Sequence, residues 1–430
     1  MSPALEGRSI AALASFDSFA KTAMALLSQC RRQGATTTLH LGEIQGRKLS
    51  RRQRLEVQRQ DPRVRIQRHS WSEIRPVCKQ LLSSVDALIL CLDGQRSREL
   101  ILMLEQLAAE ASPLPVLVSA YPGILFRYQL EGMLDRSGVD LLCLNGEDDL
   151  ITYRRGCEVL GMDSSNAVQT GLPILWGLRQ RSEAPQRGSF VFFEQPSIPA
   201  HPLQRRFLCR QLQQLAKAWP DHPVVFKPRT SNLESTLHRR HGEMEDIIRR
   251  MSKETKNLQV SLQPAARLLR DCQCAITVSS TAALESMAMG ISTRIVADLG
   301  LNESLGNHYF VGSGAVATFD QIIDDPFSCQ HDHQWLQRAG WNVDGGDQFV
   351  AVLSQHLHSR ESRPLRFRQG TAGWGSPAWR DFAISQGGRR MLSTGGALSS
   401  RKKRHHGVRL ARRLRERLVG LWGVEQWIKG

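Results

Sequence analysis

Two stretches of this chain collect the residue types that handle phosphate and protons. One is Val278-Ser279-Ser280-Thr281-Ala282-Ala283-Leu284-Glu285, three successive hydroxyls ahead of a helix-forming run. Hydroxyls and free N–H groups at a helix start suit an anion, most naturally phosphate. Glu285 falls about one turn further in, where a carboxylate could accept hydrogen bonds from vicinal hydroxyls such as those of a ribose. The same residues could equally be a cap, with Glu285 paired to a neighbouring base. The other stretch is Ser15-Phe16-Asp17-Ser18-Phe19-Ala20-Lys21. There Asp17 is either the helix cap or a carboxylate placed for general-base work, and both roles can hold together.

Further candidates stand at strand ends. The run Val224-Val225-Phe226 delivers Lys227 and Arg229 to a loop, where a guanidinium fork and an ammonium suit phosphate oxygens, although such a pair is more often simply solvated. His241 in the same loop is a candidate for nucleotide or phosphate contact. The run Ser189–Phe193 ends in Glu194-Gln195, which makes Gln195 another. The glycine-rich segment Gly306-Asn307-His308 to Gly314 could approach a ligand closely and adds Asn307 and His308, the latter equally readable as a core histidine. Cys272 and Cys274 are a lone C-x-C with no second pair, so no metal site and no cofactor are expected.

These residues need a scaffold, and the apolar pattern supplies one. Short buried strands alternate with amphipathic helices: strands at 9–15, 36–41, 64–69, 87–91, 115–119, 141–144 and 168–175, then 189–193, 224–226, 258–261, 275–278 and 291–297. Two α/β domains follow, 1–178 and 188–357, each Rossmann-like, joined by a polar linker and facing each other across a cleft. In such sheets ligands bind outside the carboxyl ends of the strands, which is where Asp17 and Ser279–Thr281 fall.

Charge separates the rest. The net charge is +16, yet residues 360–430 hold seventeen Lys/Arg against four Asp/Glu, leaving only +3 for everything before them. Residues 358–430 therefore read as a basic tail, rich in Gly, Ser and Arg over 370–396. It closes on Val408–Ile428, where Leu410, Leu414, Leu418 and Leu421 recur at helical spacing between arginines. A basic amphipathic helix with Trp422 and Trp427 suits an anionic membrane surface, or else packs on the body. Nucleic acid is disfavoured because no recognised nucleic-acid module accompanies it. No apolar run reaches membrane-spanning length, and nine cysteines sit mostly in apolar patterns, which fits reduced thiols in the cytoplasm or on the inner membrane face.

Together, Val278–Glu285, Met289-Gly290 and Gly306–Gly314 resemble the nucleotide-binding half of bacterial GT-B glycosyltransferases. The sequence is most similar to a bacterial family of glycosyltransferase-like proteins, and more distantly to CDP-glycerol transferases and bacterial polysialyltransferases. The resemblance spans most of 8–325 and includes an Asp-Ser…Lys pattern matching Asp17, Ser18 and Lys21. It implies transfer of a sugar or related group from a nucleotide-activated donor to a glycan or lipid acceptor, for cell-surface polysaccharide or glycolipid. Ser279, Ser280 and Thr281 would hold the leaving phosphate with Lys227 and Arg229, so that no metal is required, and Asp17 would be the base. The Glu-x7-Glu pattern of retaining GT-B enzymes is absent, with Thr293 at the second position, which favours inversion. A nucleotide-sugar epimerase of the same fold, or a non-catalytic nucleotide- or polyanion-binding protein tethered by its tail, is the alternative.

Overall fold

A computed structural model describes residues 4–44, 48–108, 114–125, 130–182, 185, 187–229 and 243–359. The basic tail beyond 359 and His241 lie outside the described residues. The first half runs β1 (Ser9–Ala14), α1 (Asp17–Arg32), β2 (Thr36–Glu43), α2 (Arg51–Gln60), β3 (Arg65–Ser70), α3 (Ile74–Ser84), β4 (Ala87–Cys91), α4 (Gly94–Ala108), β5 (Val116–Ala120), α5 (Leu130–Leu134), β6 (Leu141–Leu144), α6 (Glu147–Val159) and β7 (Ala167–Gln169). Its strands form one seven-stranded sheet in the order β3-β2-β1-β4-β5-β6-β7, every pair parallel.

The second half continues with β8 (Ser189–Phe193), α7 (Pro202–Ala218), β9 (Val224–Lys227), α8 (Glu243–Met251), β10 (Leu258–Val260), α9 (Ala265–Arg270), β11 (Cys272–Thr277), α10 (Ala282–Ala288), β12 (Ser292–Val296), β13 (Val316–Ala317), α11 (Phe319–Asp324), α12 (His333–Arg338) and α13 (Gly345–His358). Six parallel strands order as β10-β9-β8-β11-β12-β13. In both sheets the first strand is the reversal point of the order. The crevices of the two halves therefore open at the ends of β1 and β4, and of β8 and β11.

Small residues in β1 let α1 lie close on the sheet. Ala12 and Ala14 are fully buried against Ala20, Ala23 and Met24. The second core is aromatic, with Phe190, Phe192 and Phe226 buried between β8, β9 and α7. The last helix departs from the domain limits expected from sequence. Phe349, Val350, Leu353 and Leu357 of α13 pack into the first core, not the second. Periodicity marks a helix but does not say which sheet its apolar stripe will cover. Trp176 stacks on Phe349 at 5.6 Å, and Gln29 of α1 donates to Asp347 at 2.7 Å. The helix enters at Gly345, where a Cβ would lie 2.1 Å from the Thr170 carbonyl oxygen, so only glycine admits the return. The expected strand 168–175 is also shorter than read: β7 stops at Gln169 and a 3-10 turn covers Pro173–Leu175. No helix among the described residues is long and apolar enough to cross a membrane.

Candidate functional site

The first-half edge is built on a strained turn. Phe16, between β1 and α1, sits at φ 63° and ψ 161°, a region open essentially to glycine alone. Such a conformation costs about 1–3 kcal/mol and persists only where surroundings enforce it. On either side of Phe16, the Ser15 hydroxyl and the Asp17 Oδ1 are buried without a hydrogen-bond partner among the described residues. Asp17 Oδ2 accepts from Lys21 Nζ at 2.9 Å, and the same ammonium donates to Glu56 Oε2 at 2.9 Å. Desolvation alone would lower the Lys21 ammonium, but Asp17 and Glu56 outweigh it and hold it above its ordinary value. Asp17 opens the first turn of α1 without capping it by a side-chain hydrogen bond. Ser18 is half-buried beside it and makes no side-chain hydrogen bond among the described residues.

At the second-half edge the three hydroxyls divide their work. Ser279 is 4% exposed, and its hydroxyl donates to Leu305 O and to Gln195 Oε1. Its N–H also donates to Gln195 Oε1, at 2.9 Å. Ser279 and Gln195, both read from sequence as donor contacts, thus hold the loop together. The Ser280 hydroxyl accepts from the N–H of Ala282, the first residue of the seven-residue α10, at 3.3 Å. Among the described residues, neither the Thr281 hydroxyl nor its N–H donates to a protein acceptor. Of the three, Thr281 is the one whose donors are not taken up by the described residues.

Two more candidates make hydrogen bonds within the fold. Asn307 is fully buried, donating to Val296 O at 3.1 Å and Gly300 O at 2.8 Å while accepting from the Asn302 N–H at 3.1 Å. It braces the 297–306 loop. Lys227 is 7% exposed, and its ammonium donates to Pro228 O at 2.7 Å, so it ends β9 as a buried brace. In both cases a polar side chain satisfies backbone carbonyls of its own loop, which sequence cannot separate from a ligand contact. His308 is half-buried, with Nδ1 3.3 Å from Asn302 O.

Arg229 differs from Lys227. Its side chain is exposed, yet the surrounding walls desolvate it and pull the guanidinium below its ordinary value, with Asp17 pulling it back. It stays a cation at any working pH. Glu285 is half-buried, and burial pushes its carboxyl up to about 7, opposed by Lys21 of the other half. The charge of Asp17 thus acts on Arg229, and that of Lys21 on Glu285, from one edge to the other. Close approach also occurs at Gly123, past β5, where a Cβ would lie 3.0 Å from Thr281 Cγ2. Asn145 Nδ2 holds the Gly123 carbonyl at 2.8 Å. Asn145 and Glu56 carry no sequence signal, because their partners lie 22 and 35 residues away. Thr293 is fully buried and bonded to Ser286 at 2.8 Å, so no second carboxylate stands where the Glu-x7-Glu pattern would place one. Among the described residues no cluster of His, Cys, Asp and Glu is arranged to hold a metal. Cys272 and Cys274 are fully buried thiols in β11, pushed up by burial.

No curated protein matches the chain by sequence. In fold it is similar to the UDP-GlcNAc 2-epimerase of Neisseria meningitidis bound to UDP-GlcNAc, with a TM-score of 0.50 and 11% identity over 82% of this chain and 100% of that one. A "putative UDP-N-acetylglucosamine 2-epimerase" of Listeria monocytogenes gives a TM-score of 0.53 and 10% identity over 83% of this chain and 98% of that one. At such identities the likeness is one of fold, the two-domain GT-B arrangement. The family described as "Putative glycosyltransferase (DUF6716)" matches residues 10–356, and the chain with its paired Rossmann-like halves belongs to that glycosyltransferase family.

Proposed function

We propose that this protein transfers a sugar from a nucleotide-activated donor, held by the second half, to a hydroxyl presented at the first. The observation that carries the reading is the meeting of the two carboxyl edges, where a Cβ on Gly123 of the first half would lie 3.0 Å from Thr281 Cγ2 of the second. Arg229 and the Thr281 N–H and hydroxyl supply positive charge and donors for the leaving diphosphate, a preorganised electrostatic role. Glu285 accepts from the ribose hydroxyls. Asp17 takes the proton of the acceptor hydroxyl as that oxygen attacks the anomeric carbon, while the glycosyl–phosphate bond breaks and its electron pair leaves with the nucleotide. One displacement from the side opposite the leaving group inverts the anomeric centre. The acceptor is a glycan or lipid-linked glycan, and the basic tail brings the enzyme to an anionic membrane face.

UDP-GlcNAc, the ligand of the Neisseria structure, is a suitable first probe. At about one hundred times its dissociation constant a ligand stabilises the folded state by about 2.7 kcal/mol, which a thermal-shift series over nucleotide-sugars detects. Nucleotide release that requires an added acceptor supports transfer. Interconversion of the sugar without an acceptor, or tight binding with neither reaction, overturns it in favour of an epimerase or a binding protein.

Glu285 predicts a pH dependence. Only the ionised carboxylate accepts two ribose hydrogen bonds, and burial sets its titration at about 7. Donor affinity should therefore rise as pH increases through about 7 and level off above it. In Glu285→Gln the affinity should be lower at high pH and flat across that window. Calorimetry with UDP-GlcNAc, whose diphosphate diester does not titrate there, reads this directly. A wild-type affinity that falls as pH rises would remove Glu285 from the ribose site.

A further inference from the structure

The cation stacked beside Asp17 is left unused by the transfer chemistry. The Arg96 guanidinium, in the first turn of α4, lies 5.6 Å from the centre of the Phe16 ring and 5.6 Å from that of Trp71. Trp71 follows β3 and is seated over Gly42 at the end of β2, where a Cβ would lie 2.8 Å from its ring. Asp93, just past β4, accepts from Arg96 Nη1 at 2.6 Å. Residues following β3, β1 and β4, with Gly42 of β2 beneath Trp71, thus fix one arginine at the carboxyl edge of the first sheet, beside the strained turn that carries Asp17.

The arginine is fixed but not used up. A guanidinium offers five in-plane N–H donors, and stacking on rings occupies its faces and leaves its edges. Asp93 takes the Nη1 edge and the Arg96 backbone N–H. The other donors meet no acceptor among the described residues, and the side chain keeps 24% of its surface exposed. A planar fork held in advance at low entropic cost matches carboxylate or phosphate oxygens. The orphaned Asp17 Oδ1 and Ser15 hydroxyl border the same turn, where a ligand hydroxyl would satisfy them.

We propose that Arg96, stacked over Phe16 and Trp71, is an anion-recognition site in the first half, selecting an acceptor that bears a carboxylate or phosphate near its reactive hydroxyl. The word acceptor rests on the transferase reading; the anion site does not. Arg96 is a specificity residue and Phe16 a positioning one, its backbone spanning the distance between the ring under Arg96 and the carboxylate of Asp17.

The test is calorimetry on the full chain with glucuronate, glucose 6-phosphate and glucose, three probes sharing one ring. At least one anion should bind tenfold or more tighter than glucose, and which of them does so assigns carboxylate or phosphate. Arg96→Gln should abolish that preference and leave UDP-GlcNAc affinity unchanged. Arg96→Lys, which keeps charge without the fork, should retain only part of it and serves if the Gln variant fails to fold. Equal binding of all three sugars, no binding of any, or an anion preference that survives both substitutions overturns the proposal. If UDP-GlcNAc does not bind while the preference persists and follows Arg96, the transferase reading falls and the anion site stands.

Discussion

Asp17→Asn should lower turnover by about a hundredfold or more while leaving donor affinity within about twofold of wild type, the effect of losing a general base. The substitution keeps the shape of the side chain and an oxygen for the Lys21 ammonium, which Glu56 also holds at 2.9 Å. Packing of α1 is therefore retained. What disappears is the basic Oδ1, buried and without a partner among the described residues. Steady-state rates with saturating donor, together with donor calorimetry, check both halves of the expectation. Unchanged turnover would make Asp17 a part of the Lys21 network and place the base elsewhere.

Arg229→Ala should weaken donor binding by about 10- to 100-fold. A hydrogen bond to a charged group contributes about 1.5–3 kcal/mol, and each 1.4 kcal/mol is a factor of ten. Because Arg229 is exposed, its removal should leave the thermal midpoint of the free protein nearly unchanged. Lys227 provides the contrast two residues earlier. Its ammonium is buried and bonded to Pro228 O, so Lys227→Ala should lower stability and affect donor binding only secondarily. If Lys227→Ala lost donor affinity at intact stability while Arg229→Ala did not, the assignment of the two cations would be reversed.

Much of the scaffold was legible because buried parallel strands write themselves as apolar runs. Ala87–Cys91, Leu141–Leu144 and Ser189–Phe193 are the strands that the pattern marks, residue for residue. Helix α3 escaped notice although Ile74, Cys78, Leu81 and Leu82 have helical spacing, since Arg, Lys, Gln and Pro between them mask the stripe. The return of α13 to the first core could not be read, because it depends on which sheet still has an uncovered face. The switch-point turns were legible as positions, and Asp17, Thr281 and Glu285 do lie there. Which hydroxyl or cation at such a turn faces outward was not. Ser279 and Thr281 are two residues apart with the same chemistry, and only the position of Leu305 and Gln195 decides that the first is consumed internally. Arg96 gave no signal, because its meaning depends on Phe16 and Trp71, brought beside it from other strand ends.

The most direct test of the account is a crystal structure of the protein with an intact nucleotide-sugar bound. The diphosphate should lie within hydrogen-bond distance of the Arg229 guanidinium and the Thr281 N–H, the ribose hydroxyls on Glu285, and the anomeric carbon on the side of the cleft that Asp17 lines. A diphosphate bound away from Arg229 and Thr281, or a sugar directed away from Asp17, would contradict it.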